Sequence, residues 1–287
     1  AKERAAVESI ENALGFVSPR MAEFADLETL GAIKYQFAAV QALFQNVVQR
    51  VMRRLYQKTT VDRLQLHQYY EFQPRYGGKT LAIARELGAK FGAGRMTVPG
   101  VAGDFQDPAG FYAARPDWLG REAEEVPCGW IHGDLNLANI LLDETGNTWM
   151  IDYVWTRVGH AVQDIAKLEN DLKFIKVPLA DDPALQRAID WERLLLADDD
   201  QLAPAPALPA RLAADPAIAK AQAAITILRD LRAAMLRDAG LAAPLSARHY
   251  WLAQLRYSAH TLTFDESDVR QKRFALASTA LLAERLR

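Results

Sequence analysis

The sequence predicts an α+β fold, mainly helical, built around one short strand hairpin. Two patterns carry that expectation. Apolar residues recur at three- and four-residue intervals through several long runs, the mark of helices that bury one face. Between residues 127 and 152 the pattern changes to short continuous apolar stretches, Asn139-Ile-Leu-Leu142 and Thr148-Trp-Met-Ile151. Between them stands the turn-forming Asp143-Glu-Thr-Gly-Asn147.

Taken in order, residues 1–17 read as a helix broken by Ser18-Pro19, and residues 29–37 as a strand. Residues 37–56 place Val40, Leu43, Phe44, Val47, Val48, Val51 and Leu55 on one helical face, and a second helix is expected over 61–72. Tyr69, Tyr70, Phe72 and Tyr76 form an aromatic cluster, for which core packing is favoured over ligand stacking. Residues 81–87 are helical. The following Phe91-Gly-Ala-Gly-Arg-Met-Thr97 lacks the third glycine of a phosphate-binding turn and follows a helix, so it reads as a helix-ending loop. Residues 159–174 form a helix with Ala166, Leu168 and Leu172 inward and Lys167, Glu169, Asp171 and Lys173 on a wet face. Residues 177–217, rich in Asp, Ala and Pro, read as a surface excursion with one helix near 185–196. Helices over 225–236, 250–262 and 270–285 complete the chain.

With 287 residues, 50% of them hydrophobic, the chain can bury a substantial core as one large unit or two lobes. A net charge of −2 gives no basic field for nucleic acid, and no apolar run approaches the roughly 18 residues of a membrane span. Cys128 is the one cysteine, which excludes an internal disulfide and suits a reducing cytosol, so a cytoplasmic location is expected. Five histidines without a Cys-x-x-Cys pair give no zinc site.

The chemistry sits in Trp130-Ile-His-Gly-Asp-Leu-Asn-Leu-Ala-Asn139 and Met150-Ile-Asp152. Phosphoryl transfer is mostly positioning and charge neutralisation. One carboxylate must face the attacking hydroxyl, while an amide oxygen and a second carboxylate hold the metal that bridges the phosphates. Asp134, Asn139 and Asp152 supply that set beside apolar strand ends, and the hairpin brings Asn139 and Asp152 to one edge. Gly133 allows the tight loop that carries Asp134.

His-Gly-Asp, four residues, Asn, and a strand ending in Ile-Asp resemble the catalytic and metal loops of the aminoglycoside phosphotransferase and choline kinase group, relatives of the protein kinases. The resemblance implies Asp134 as the catalytic carboxylate, His132 as a brace of the catalytic loop, and Asn139 and Asp152 as ligands of Mg2+. It also implies that Asp164, early in the next helix, bonds back to the catalytic loop. Asn136-Leu-Ala138 replaces the His-Pro-Gly common in small-molecule kinases of this group. Gly-Asp-Leu-Asn with Gly-His-x-x-x-Asp-x-Ala-Lys-Leu-Glu looks more like the kinase-like ternary-complex-associated domains of bacterial conflict and signalling proteins.

That likeness implies a protein-kinase-like fold with a truncated small lobe. Residues 1–38 would be the remnant of the nucleotide-binding lobe and hinge, and 39–287 the helical large lobe. Glu8 would be the small-lobe helix glutamate at the nucleotide, and its lysine strand and glycine-rich hairpin are expected upstream of residue 1, in a longer polypeptide. The implied activity moves the γ-phosphate of ATP, or another nucleotide, to a hydroxyl-bearing small molecule or protein, and without its small lobe this stretch is expected to turn over weakly. The alternative is a pseudoenzyme that keeps the fold as a binding or regulatory module.

Overall fold

The computed structural model describes residues 44–114, 123–142, 148–241 and 245–286. The expected helix over 1–17, the strand over 29–37, Glu8 and the turn at 143–147 lie outside the described residues. What is described is a mixed α/β protein, dominated by helices and carrying three small sheets.

Residues 47–55 form α1, π-helical over Val47–Met52 and α-helical over Arg53–Leu55, with Val47, Val48, Val51, Met52 and Leu55 buried as their spacing requires. The chain then departs from the expected second helix. Thr60–Leu64 is a strand, β1, and only Leu66–Tyr69 is helical, as α2. β-branched Thr60 and Val61 resist the helix, and the neighbouring strand β5 (Glu124–Ile131) offers an edge on which β1 pairs antiparallel, Thr60 opposite Cys128. Tyr70 and Phe72 are buried and Tyr69 packs against the core, its ring edge-on to Tyr70 at 5.0 Å, so the aromatic cluster packs the core.

Helix α3 (Pro74–Glu86) leads to a second departure. The glycine-containing loop is a hairpin, β2 (Lys90–Gly92) and β3 (Arg95–Thr97), extended by β4 (Phe105–Gln106). Ala93 and Gly94 both have positive φ, the two-residue turn whose twist suits a hairpin. After α4 (Ala109–Ala113), β5 crosses the core with Val126, Cys128 and Ile131 buried. Strands β6 (Ile140–Leu142) and β7 (Thr148–Met150) pair as expected, Ile140 opposite Met150. Strand β8 (Arg157–His160) completes the sheet β1-β5-β8.

Helix α5 (Gln163–Phe174) is the centre of the molecule, and all twelve of its residues are buried. Around it pack α8 (Pro216–Asp238), α9 (Arg248–Thr261) and α10 (Val269–Arg285), with α6 (Asp182–Leu195) seated on α10 and the short α7 (Ala210–Ala213) on α8. The wet face expected of α5 is therefore absent: Lys167, Glu169, Asp171 and Lys173 are all inside. A helix enclosed on every side keeps its charges only by pairing them. Glu169 accepts from Arg229 Nη2 (2.8 Å), Arg229 Nε (3.2 Å), Tyr250 Oη (2.7 Å) and Gln254 Nε2 (2.6 Å). Lys173 donates to both oxygens of Glu192 at 3.0 Å.

Candidate active site

Strand β5 delivers the chain into the loop that begins at His132, and α5 holds that loop by side chain to backbone. Asp164 accepts from the His132 amide at 2.7 Å and the Gly133 amide at 3.0 Å, while Tyr56 donates to it at 3.0 Å. Burial pushes the Asp164 carboxyl up, and the His132 ring and the two amides pull it back. Gln163 donates to the Gly133 carbonyl at 3.0 Å. Gly133 has φ +85°, and a Cβ there would stand 2.2 Å from the Trp155 carbonyl oxygen, so no other residue fits.

His132 is fully buried. Its Nε2–H donates to the Ile151 carbonyl at 2.8 Å, and its ring lies 5.0 Å from that of Tyr153. The ring thus ties the loop after β5 to the residue before Asp152.

Asp134 is half-buried, and its Oδ1 is in direct contact with Lys167 Nζ from α5. Its backbone carbonyl accepts from Asn139 Nδ2 at 3.0 Å and from Asn136 Nδ2 at 3.3 Å. Asn136 Oδ1 in turn caps the short turn Leu137–Asn139, accepting from the Ala138 and Asn139 amides. The Leu137 amide donates to Asp171 Oδ2 at 3.1 Å. Burial raises the Asp171 carboxyl to about 6, against the pull of that amide and of Lys167.

Asn139 and Asp152 meet at one strand edge, because the Ile151 amide donates to the Asn139 carbonyl at 3.1 Å, one step beyond the β6–β7 pairing. Asn139 is buried and spends its amide nitrogen on Asp134, which leaves Oδ1 as its available oxygen. Asp152 is exposed, with φ 63° and ψ 60°. Left-handed backbone costs a non-glycine residue about 1–2 kcal/mol, and such strain concentrates at functional sites.

The donor set fits magnesium. Among the described residues no three His, Cys, Asp or Glu side chains gather into a cage. Magnesium needs none, since it takes one or two protein oxygens and completes its octahedron with water and phosphate. Glu8, expected near the nucleotide, lies outside the described residues.

A family model matches residues 93–263, more than half of the chain. The chain belongs to the ternary complex associated domain 9 family. No curated protein matches it. The family match takes in β3 through α9 and so contains His132, Asp134, Asn139, Asp152, Asp164 and Lys167, while α1 and α10 fall outside it. Among the described residues of this ternary complex associated domain, no helix is long and apolar enough to cross a membrane.

Three residues of the site were not singled out from the sequence: Gln163, Lys167 and Asp171, assigned to a wet face or passed over. The signal was present. Asp164, Lys167 and Asp171 stand at i, i+3 and i+7, one stripe of α5, and that stripe faces the loop. Once Asp164 is placed on the loop, helical spacing puts Lys167 one turn further on, opposite Asp134.

Proposed function

We propose that this ternary complex associated domain is a magnesium-dependent phosphotransferase, protein-kinase-like in fold, that moves the γ-phosphate of ATP or another nucleoside triphosphate to a hydroxyl acceptor. One observation carries the reading: a carboxylate paired with a lysine on a clamped loop, beside an amide oxygen and a strained carboxylate at a single strand edge. In this reading residues 1–38 belong to a small lobe and 39–287 to the large one, in a cytoplasmic protein.

Asp134 receives the proton of the acceptor hydroxyl as its oxygen attacks the γ-phosphorus, the β–γ bridging bond breaks and the nucleoside diphosphate leaves. Lys167 pairs with Asp134 and supplies a cation beside the transferring group, work that no residue of the 134–139 loop can do, since that loop holds no Lys or Arg. Asp164 and His132 hold the loop in register. Asn139 and Asp152 would hold magnesium, which neutralises the phosphate oxygens.

The test is turnover and nucleotide binding in the full-length protein. Asp134→Asn should lower phosphoryl transfer by about a hundredfold or more with nucleotide affinity nearly unchanged, and Asp152→Ala should abolish binding of the magnesium nucleotide measured by calorimetry. Unchanged affinity in Asp152→Ala removes the metal assignment. A second reading, a pseudoenzyme that serves a bacterial signalling or conflict system as a binding module, is favoured by the ion pair that engages the Asp134 carboxylate with Lys167. It predicts no turnover with any acceptor in the presence of a complete small lobe.

A further inference from the structure

A pocket of about 120 Å³ opens between α3 and α9. Its wall is apolar and aromatic, from Phe72, Tyr76, Ile83 and Tyr112. Its rim carries Lys79 and Arg256 against one carboxylate, Glu71. Neither cation forms an ion pair or hydrogen bond with another described residue. Arg256 rests over the Tyr76 ring, 5.6 Å from its centroid, a contact that orients the guanidinium without using its N–H donors.

Helix α9 connects this pocket to Asp134. Tyr257 lies with its ring centroid 5.8 Å from Lys167 Nζ, and Lys167 touches Asp134. Arg256 precedes Tyr257 and His260 follows it by one turn, both lining the pocket. His260 is held below the ordinary histidine range first by burial and then by Arg256, Lys167 and Lys79, while Asp134 acts in the opposite sense. Its ring therefore stands in the field of both the rim cations and the Asp134–Lys167 pair, and is neutral near pH 7.

We infer that this pocket receives the phosphoryl acceptor, and that the acceptor is a small anionic hydroxy compound with an apolar body. Its carboxylate or phosphate is held between Lys79 and Arg256 and its body lies against Tyr76 and Tyr112. The inference rests on the phosphotransferase reading for the word acceptor, but not for the anion. The volume, well under the roughly 300 Å³ of a drug-sized site, suits a compact molecule. The opposite preference would need carboxylates on the rim where the two cations stand.

Three phenyl alcohols of nearly one shape separate the possibilities: mandelate (anionic), mandelamide (neutral) and 2-amino-1-phenylethanol (cationic at pH 7). Ligand-observed NMR titration of the whole protein without nucleotide should show mandelate binding about tenfold more tightly than the other two. The double variant Lys79→Gln, Arg256→Gln should lose that preference while keeping the wild-type melting temperature. Equal binding of all three, preference for the amine, or a preference that survives in the double variant overturns the inference. A second arm measures ATP turnover with the same three alcohols. Selective binding of mandelate with no transfer to it leaves an anion site and overturns its assignment to the phosphoryl acceptor. Transfer that ignores acceptor charge keeps the phosphotransferase reading and overturns the anionic acceptor.

Discussion

The two sides of α5 use the same residue types to opposite ends. On one side Glu169 and Lys173 are sealed among Arg229, Glu192, Tyr250 and Gln254, and Glu169 is saturated with donors. On the other, Asp164, Lys167 and Asp171 spend their charge on the backbone and side chain of a loop that reaches solvent. Saturation marks charge that holds the fold. An ion pair with a half-buried partner, as at Asp134, marks charge that stays available to something else.

The largest effect that would break this contrast lies on the sealed side. Glu169→Ala strands Arg229 without its carboxylate and Tyr250 and Gln254 without their acceptor, while Lys173 keeps Glu192, and should cost about 3–5 kcal/mol in urea unfolding. A mild loss would mean the network is not what holds the helices together. Lys167→Met should do the converse. Because Asp134 keeps access to water, stability should change by less than about 1 kcal/mol, whereas phosphoryl transfer should fall by about a hundredfold. Lys167→Arg should recover part of that rate.

Asp171 sharpens the comparison through pH. Its carboxyl is raised to about 6 by burial, so between the unfolded value near 4 and 6 the folded state binds the extra proton, and stability falls as pH rises through that window. Asp171→Asn keeps an oxygen for the Leu137 amide and removes the charge. Relative to wild type it should be flat across pH 4 to 6 and gain about 2 kcal/mol at pH 7. Glu169 works with the other sign. Burial would raise it, but Arg229 and Lys173 override this and bring it to about 2, so its contribution is full above the unfolded value near 4.5 and is lost as pH falls from there toward 2. The smallest effect belongs to Asp152→Gly, which relieves the left-handed backbone and should stabilise the protein by about 1 kcal/mol while magnesium nucleotide binding is lost.

Much of this was legible because local pattern and tertiary demand agreed. The β6–β7 hairpin and the helices α3, α6, α8, α9 and α10 follow from spacing and punctuation. That Asp164 bonds back to the loop after β5 followed from a family likeness, not from spacing, and its two amide partners, His132 and Gly133, did not. Residues 60–64 were misread because Val61 and Leu64 also fit a helical stripe, and only the free edge of β5, remote in sequence, decides for a strand. The charges of α5 were misread for the same reason. Amphipathic spacing shows which side of a helix is apolar, but that the polar side is also covered depends on α8 and α9, which begin only well after α5 ends at Phe174, at Pro216 and Arg248. The Lys79 and Arg256 rim brings together residues 177 positions apart, and nothing local announces it.

Gly133 and the amides of His132 and Leu137 give the 132–139 loop a shape fixed in large part from outside, by α5 and by Trp155. Beyond Gly133 and Asn136, such a loop leaves little of its conformation to its own side chains. Ala138 is exposed and only its amide is used, so the position can change identity while Asp134 keeps its coordinates. A scaffold of this kind fixes where Asp134 stands and leaves the surface beside it free to vary.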